Sequence, residues 1–394
     1  MSRQLLIAGG GIGALAAALA SARAGWHVRL YEQASVFSEV GAGLQLGPNA
    51  TRVLQDWGLG DALNHVAAFP DRLSVRSAPT GRELARLDLG SRSQQRYGAP
   101  YATLHRADLH AMLLHSVSGR AEVRLNLNTP VTAYTDVLDG VQLAFADGHC
   151  VEGDALVGAD GLWSAVRRQA LDDGVAQPTG HLAYRALVRQ SDLPLALRSG
   201  QVSVWLGPNL HLVSYPVRAG EWLNMVMFVH GKPPADVQEW DHAGLRADVL
   251  AALDGHCPAL TALVEAVPAW RLWALCDRPP LLGPDQMVRG RVALLGDAAH
   301  PMRPYLAQGA GMAIEDAAEL GRCLASVNRP HADVPLTLRR YALNRWQRNA
   351  RVQARAVRNG QIFHATGPLR LARDLSLKLL GHRLLDMPWL YAGS

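Results

Sequence analysis

Lysine is almost absent from this chain of 394 residues. Only Lys232 and Lys378 stand among its 39 basic residues, and the rest are arginine. The net charge of +5 is modest for the length, so a nucleic-acid binder would need its arginines gathered on one face. Cysteine is sparse as well. Cys150, Cys257, Cys276 and Cys323 make no CxxC pair and no zinc-ligand spacing, which argues against a disulfide scaffold or zinc module and reads as reduced thiols in a cytoplasmic protein. No apolar run approaches the ~20 residues that span a bilayer. The start, Met1 to Ala8, runs straight into a strand-like segment without a basic stretch, apolar core and cleavage site, so no signal peptide is expected. Internal repeats and low-complexity linkers are also missing. What remains is ordinary globular composition, 49% hydrophobic and 19% charged, in a chain long enough for two to three domains.

The N-terminus reads as a strand over Gln4 to Ala8, a glycine turn, a helix from Ile12 to Ala24 and a second strand from His27 to Tyr31. That is the opening of a βαβ unit. A glycine-rich loop over 41–49 and a helix from about Ala50 to Trp57 follow. Leu73 to Leu89 reads as a hairpin, Ala107 to Val117 as a helix, and Val131 to Val151 as a β-meander. The apolar strand Ala155 to Val157 comes next. From about Gly180 to Gly231 short alternating runs predict antiparallel strands, and 242–266 reads as helical. A buried strand returns at Arg291 to Leu295, a helix starts near Gly309, and the chain beyond Leu336 is mostly helical. The second domain is therefore expected to be inserted in the first.

Gly9-Gly10-Gly11-Ile12-Gly13-Ala14 fits G-x-G-x-x-G/A between a strand and a helix. Gly9 permits the tight turn, Gly11 lets backbone approach a pyrophosphate, Gly13 lies in the same turn, and Ala14 allows close packing of helix on strand. The helix N-terminus then faces the phosphates. Glu32, about 20 residues further on, closes the second strand where a carboxylate accepts bonds from ribose hydroxyls. This turn by itself does not separate FAD from NAD(P).

Two further segments do. Gly158-Ala159-Asp160-Gly161-Leu162-Trp163-Ser164-Ala165-Val166-Arg167 resembles the "DG" motif of FAD-dependent aromatic hydroxylases, the class A flavoprotein monooxygenases. Gly296-Asp297-Ala298-Ala299-His300-Pro301 resembles their "GD" motif. With the N-terminal turn these span nearly the whole chain in the family's order. The resemblance implies an α/β fold, with a Rossmann-like FAD-binding domain of glutathione-reductase type, an inserted antiparallel β-sheet substrate domain and a helical C-terminus. The expected division is 1–72, 101–175 and 277–394 for the FAD-binding domain and C-terminal helices, and 73–100 and 176–276 for the substrate domain.

The resemblance also implies roles. Asp297 would bind the ribityl chain, Arg106 would contact FAD, and Asp160 and Pro301, in the two motifs, would also bind the cofactor. Gly309, Ala310 and Gly311 would begin a helix whose free N–H groups favour negative charge on reduced flavin. The plainer readings are a turn aspartate for Asp160, a helix N-cap for Asp297 and a loop-holding residue for His300. No second G-x-G-x-x-G follows a strand, so NAD(P)H is expected as a transient co-substrate, and no metal is expected.

His211 and Tyr215 lie four apart on a predicted strand, hence on one face. The pair resembles one that contacts the substrate's ring hydroxyl in the 3-hydroxybenzoate, salicylate and 6-hydroxynicotinate hydroxylase branch. The plainer reading is a core tyrosine and a surface histidine. Tyr305, in the run Arg303 to Gln308, would line the same pocket. The hydroxynicotinate enzymes usually carry histidine where Gln45 and Tyr305 stand, which weakens a pyridine substrate. Arg303 and Arg185 are candidates to pair a carboxylate, and Arg345, Arg348, Arg355 and Arg358 read as a solvated helix face.

The expected activity is NAD(P)H- and O2-dependent hydroxylation of a small hydroxylated aromatic acid, with oxygen adding to the reduced flavin at C4a and the hydroperoxide passing OH to the ring. Alternatives are the same chemistry on a hydroxypyridine carboxylate or larger phenol, a flavin oxidase, and a flavin-binding regulatory protein without turnover. Nucleic acid and membrane are not expected as partners. The C-terminal helices either make a homodimer contact or cap the FAD domain.

Overall fold

The structure, a computed structural model, describes residues 3–37, 42–326 and 333–393. The predicted Gly41 and the residues 38–40 before it lie outside that range. The chain divides into two compact units. One comprises 1–39, 109–177 and 277–355; the other comprises 40–108, 178–276 and 356–394.

The first unit is built on a six-stranded sheet. Its order is Val123–Asn126, His27–Tyr31, Gln4–Ala8, Ala155–Gly158, Val292–Leu294 and Val288–Arg289. The pairs are parallel except the last, an edge hairpin. Leu5, Leu6 and Ile7 are fully buried, as expected of a parallel strand covered on both faces. In register, Ala8 stands between Tyr31 and Gly158, and Gly158 beside Leu294. These strand ends deliver the three loops that carry the glycine turn, the Asp160 loop and the Asp297 loop to one edge, where such sheets take their ligands. The helix Ile12–Arg23 packs on the helix Gly309–Ala325. Gly321 permits this closeness, since a Cβ there would lie 3.0 Å from the Ala20 carbonyl oxygen. A meander of Val131–Val137, Gly140–Phe145 and Cys150–Gly153 completes the unit, as the alternation predicts.

The second unit is built on an eight-stranded sheet. Its order is His242–Gly244, Trp270–Asp277, Gln177–Arg189, Trp222–His230, Leu210–Val217, Val202–Gly207, Arg72–Ser77 and Glu83–Asp88. Pairing is antiparallel from Gln177–Arg189 to Val202–Gly207, whereas Val202–Gly207 runs parallel to Arg72–Ser77. One face carries Tyr184, Leu212, Met225 and Met227. It packs on the helices Arg246–Ala252 and Pro258–Glu265 through Val249, Leu260 and Val264.

Three expectations need correction. The glycine-rich stretch holds a strand, Gly43–Leu46, paired with Ala102–His105, and the helix after it begins at Pro48. Gly43 answers a close approach rather than a flexible loop, because a Cβ there would lie 2.7 Å from the Tyr215 ring. The segment 242–266 opens with the strand His242–Gly244 and breaks into two helices, the second started by Pro258. The arginine series is not wholly solvated. Arg345 is fully buried, and Arg348 pairs with buried Glu315. Among the described residues, no helix is long and apolar enough to cross a membrane.

Candidate active site

In the first unit, Gly9 takes φ +105°, and a Cβ there would come within 2.4 Å of the Ala159 carbonyl oxygen. No other residue fits that crossing of two loops. Gly11 precedes the helix Ile12–Arg23 and has open space where its Cβ would be. No acidic residue occupies the first turn and no side chain caps it, so its N–H groups remain available to an anion. Gly13 lies against Leu295 and Ala313, and Ala14 is fully buried. Glu32 follows the second strand, with Oε1 accepting from the Ala34 amide at 2.8 Å, and its other oxygen lies near Gly10. His110 Nε2 meets the Gly10 carbonyl at 2.8 Å and steadies the same turn. This cradle fits a dinucleotide pyrophosphate.

Asp160 bonds within its own loop. Oδ1 accepts from the Ser164 hydroxyl at 2.5 Å, and Oδ2 accepts from the amides of Ala165 at 2.8 Å and Val166 at 3.2 Å. Burial raises its pKa, and these bonds hold it down. The carboxylate is thus committed to the N-terminus of the helix Ala165–Leu171, where Ser164 also caps the Arg167 amide at 2.8 Å. Replacing Ser164 with alanine removes both bonds. It is expected to cost about 1 kcal/mol of stability, read as a shift of the urea midpoint; an unchanged midpoint would refute this account of the loop.

Asp297 is exposed on a 3-10 turn, Gly296–Ala298, with Oδ1 4.0 Å from the Cβ position of Gly309. Gly309, Ala310 and Gly311 form the first turn of the helix Gly309–Ala325, which has neither a side-chain cap nor an early acidic residue. Ala307, two residues before it, is left-handed, φ +52°, a strained state for alanine that sets the helix entry. Behind this loop lies an ionic cluster. His300 Nε2 meets Asp316 Oδ2 at 2.5 Å, and Arg345 binds Asp316 at 2.7 Å and Glu315 at 2.8 Å. Burial would raise the Asp316 carboxyl, but His300 and Arg345 hold it well below the usual carboxylate range. His300 therefore holds the loop. Gln353 Nε2 adds a bond to the Pro301 carbonyl at 3.0 Å.

Tyr305 is buried in the turn Pro304–Leu306; burial raises its hydroxyl, and Arg303 opposes that. Arg303 itself binds Asp277 at 2.5 Å.

In the second unit the sheet face opposite the apolar core is polar. By register it carries His181, Arg185, His211, Tyr215, Asn224, Phe228 and His230. His211 and Tyr215 are both buried, so the surface histidine of the plainer reading is ruled out. Phe228 stacks on His211 at a centroid distance of 4.6 Å. Burial pulls the His211 pKa well below its ordinary value, with His364 and His181 adding to it. Burial raises Tyr215, and its hydrogen bond with Gln45 counters that. Gln45 also accepts from the Tyr101 hydroxyl at 2.7 Å. Asn224 accepts from the Gly43 amide at 2.7 Å, while its buried Nδ2 has no acceptor among the described residues. Arg185 donates to the Trp240 carbonyl and lies over the Trp273 ring, 5.5 Å from its centroid. Arg106, half-buried, is the first residue of the helix Arg106–Ser118.

Gln45, Tyr101, Asn224 and the histidines 181, 230 and 364 carry no motif. Asn224 is the partner of Tyr215 on the neighbouring strand, whereas Gln45 reaches it from the separate two-stranded pair and carries Tyr101 with it through their hydrogen bond.

The model of a family described as FAD binding domain matches residues 2–356. A 3-hydroxybenzoate 6-hydroxylase of Polaromonas naphthalenivorans (strain CJ2) is 40% identical over 98% of this chain and 95% of its own. A 6-hydroxynicotinate 3-monooxygenase of Bordetella bronchiseptica is 38% identical over 89% of each. The solved structure of a salicylate hydroxylase substrate complex superposes with a TM-score of 0.85 at 28% identity, over 100% of this chain and 96% of that one.

Proposed function

Because this chain belongs to the FAD binding domain family of flavoprotein aromatic hydroxylases, we propose that its substrate is a small hydroxylated benzoate. The chain is an FAD-dependent monooxygenase that uses NAD(P)H and O2 to hydroxylate a hydroxylated aromatic acid. The net reaction consumes substrate, O2, NAD(P)H and a proton, and yields the hydroxylated product, NAD(P)+ and water. Bound FAD supplies the electron transfer and oxygen activation.

The cofactor would be held by Gly9, Gly11, Gly13, Ala14 and Glu32 at the first turn, and by Asp297, Pro301, Gly309, Ala310 and Gly311 at the second loop. Asp160 and Arg106 are further candidates to contact it. The uncapped first turn at Gly309–Gly311 favours developing negative charge.

The observation that carries the substrate reading is the buried polar face of the second unit. His211 and Tyr215 sit on one strand there, beside the donor Nδ2 of Asn224. A ring hydroxyl set against His211 shares its proton with the imidazole, which makes the ring carbons ortho and para to it more nucleophilic. His211 is bonded to His364 at 2.7 Å, and His364 to exposed His230 at 3.0 Å, a path by which that proton leaves. Tyr215, oriented by Gln45, would hold the hydroxyl in place.

The test is anaerobic reduction of the bound flavin by NADH and by NADPH, with and without a panel of hydroxybenzoates, hydroxynicotinates and other phenols. A hydroxybenzoate that speeds reduction about tenfold or more and is recovered hydroxylated supports the reading. Acceleration by a hydroxynicotinate alone, or peroxide without hydroxylated product, overturns it.

A further inference from the structure

Three histidines of the second unit meet on the polar sheet face although they are distant in sequence. His181 and His230 are direct partners across neighbouring strands, with ring centroids 4.3 Å apart. His364 follows the helix Val334–Phe363 and stacks on His181 at 5.0 Å. One nitrogen from each ring lies within 4.8 Å of the others. We propose that His181, His230 and His364 bind one divalent transition-metal cation of the Zn2+, Co2+ or Ni2+ kind.

Imidazole nitrogen suits these cations, and three such ligands leave a fourth position for water. Tetrahedral Zn–N bonds place ligand nitrogens about 3.3 Å apart. His230 Nε2 and His364 Nδ1 are already 3.0 Å apart, so a cation would replace their hydrogen bond. His230 is exposed, which gives both an entry path and the freedom to close the site. His364 is held in place: its carbonyl accepts from the Asn209 amide at 3.2 Å, its amide donates to Gly360 at 3.1 Å, and Arg373 Nη1 binds the carbonyls of Ile362 and Phe363 at 3.3 and 2.7 Å. The Arg373 charge opposes a cation, and its pairing with Asp374 at 2.8 Å offsets this.

Occupancy reaches the substrate face through one proton. A cation on His364 Nδ1 puts the ring proton on Nε2, which then donates to His211 Nδ1 at 2.7 Å. His211 then carries its own proton on Nε2 and offers a donor where a base is needed. The same cation breaks the link from His364 to His230. Metal is thus expected to slow hydroxylation. This second part rests on the reading of His211 as the group facing the substrate; the metal site does not.

The test uses untagged, FAD-loaded protein with Zn2+ in equilibrium dialysis and Co2+ followed by its visible spectrum. One equivalent should bind, with a Co2+ band of low symmetry, and His230→Ala should weaken binding about tenfold or more with unchanged circular dichroism. His181→Asn should do the same. No binding, or binding by both variants equal to the parent's, overturns the site. In the activity arm, Zn2+ should lower product formation in the parent protein and leave that of His181→Asn, which lies outside the proton path, at its own metal-free level. Binding without that effect overturns the coupling and leaves the site standing. Protein that binds metal but hydroxylates nothing overturns the substrate reading and not the site.

Discussion

Replacing His211 with alanine is expected to lower the rate of product formation by about 10²–10⁴-fold, the usual contribution of a positioned proton-transfer group. The bound flavin should be retained, because His211 belongs to the second unit and none of the phosphate-facing turns. The measurement is product per NAD(P)H consumed, together with flavin content. His211 packs on Phe228 and Phe363 and bonds His364, so the variant also opens a small cavity. Tyr215→Phe controls for this. It keeps the ring and removes only the hydroxyl that Gln45 orients, and should lose less turnover than His211→Ala. Product formation within about threefold of the parent for His211→Ala would remove it from the mechanism.

Arg345→Met should destabilise the first unit by about 3–5 kcal/mol, since it leaves buried carboxylates short of a cation. Glu315 and Asp316 are 2% and 0% exposed, and Arg345 binds both. Arg348 still reaches Glu315, and His300 and Asn349 still reach Asp316, so the loss is severe but not total. Flavin retention should fall with stability, because the same cluster holds His300 and thereby the loop of Asp297. Adding Asp316→Asn removes one stranded charge and should recover part of the loss. A urea midpoint unchanged by Arg345→Met would mean that the cluster does not hold the loop.

What the sequence made legible is what local physics decides. The strand, glycine turn and helix at the N-terminus are specified within about 30 residues by an apolar run, a tight turn and small packing residues. Parity put His211 and Tyr215 on one face because side chains alternate along any strand. The helix at Gly309 was readable from its glycines.

What stayed hidden depends on pairing across distance. Gly43–Leu46 resembles a loop in composition, yet it is a strand because Ala102–His105 lies alongside it. Gln45 therefore could not be linked to Tyr101 and Tyr215 in advance. His364 reaches His211 across 153 positions of sequence. The arginines at 345 and 348 have the spacing of a helix face, and spacing does not say whether that face meets water or acid. Glu315 and Asp316, on another helix, decide it. Asp160 shows the opposite limit: its motif was plain, but both carboxylate oxygens serve their own helix.

The anchoring of the Asp297 loop from behind has an evolutionary consequence. His300, Asp316 and Arg345 fix the loop through its core side, and Gln353 does so through the Pro301 carbonyl. The three partners that hold it lie on two helices, at 316 and at 345 and 353. A lineage that changes one of Asp316, Arg345 or Gln353 would therefore have to change its partners with it to keep the Asp297 loop in place.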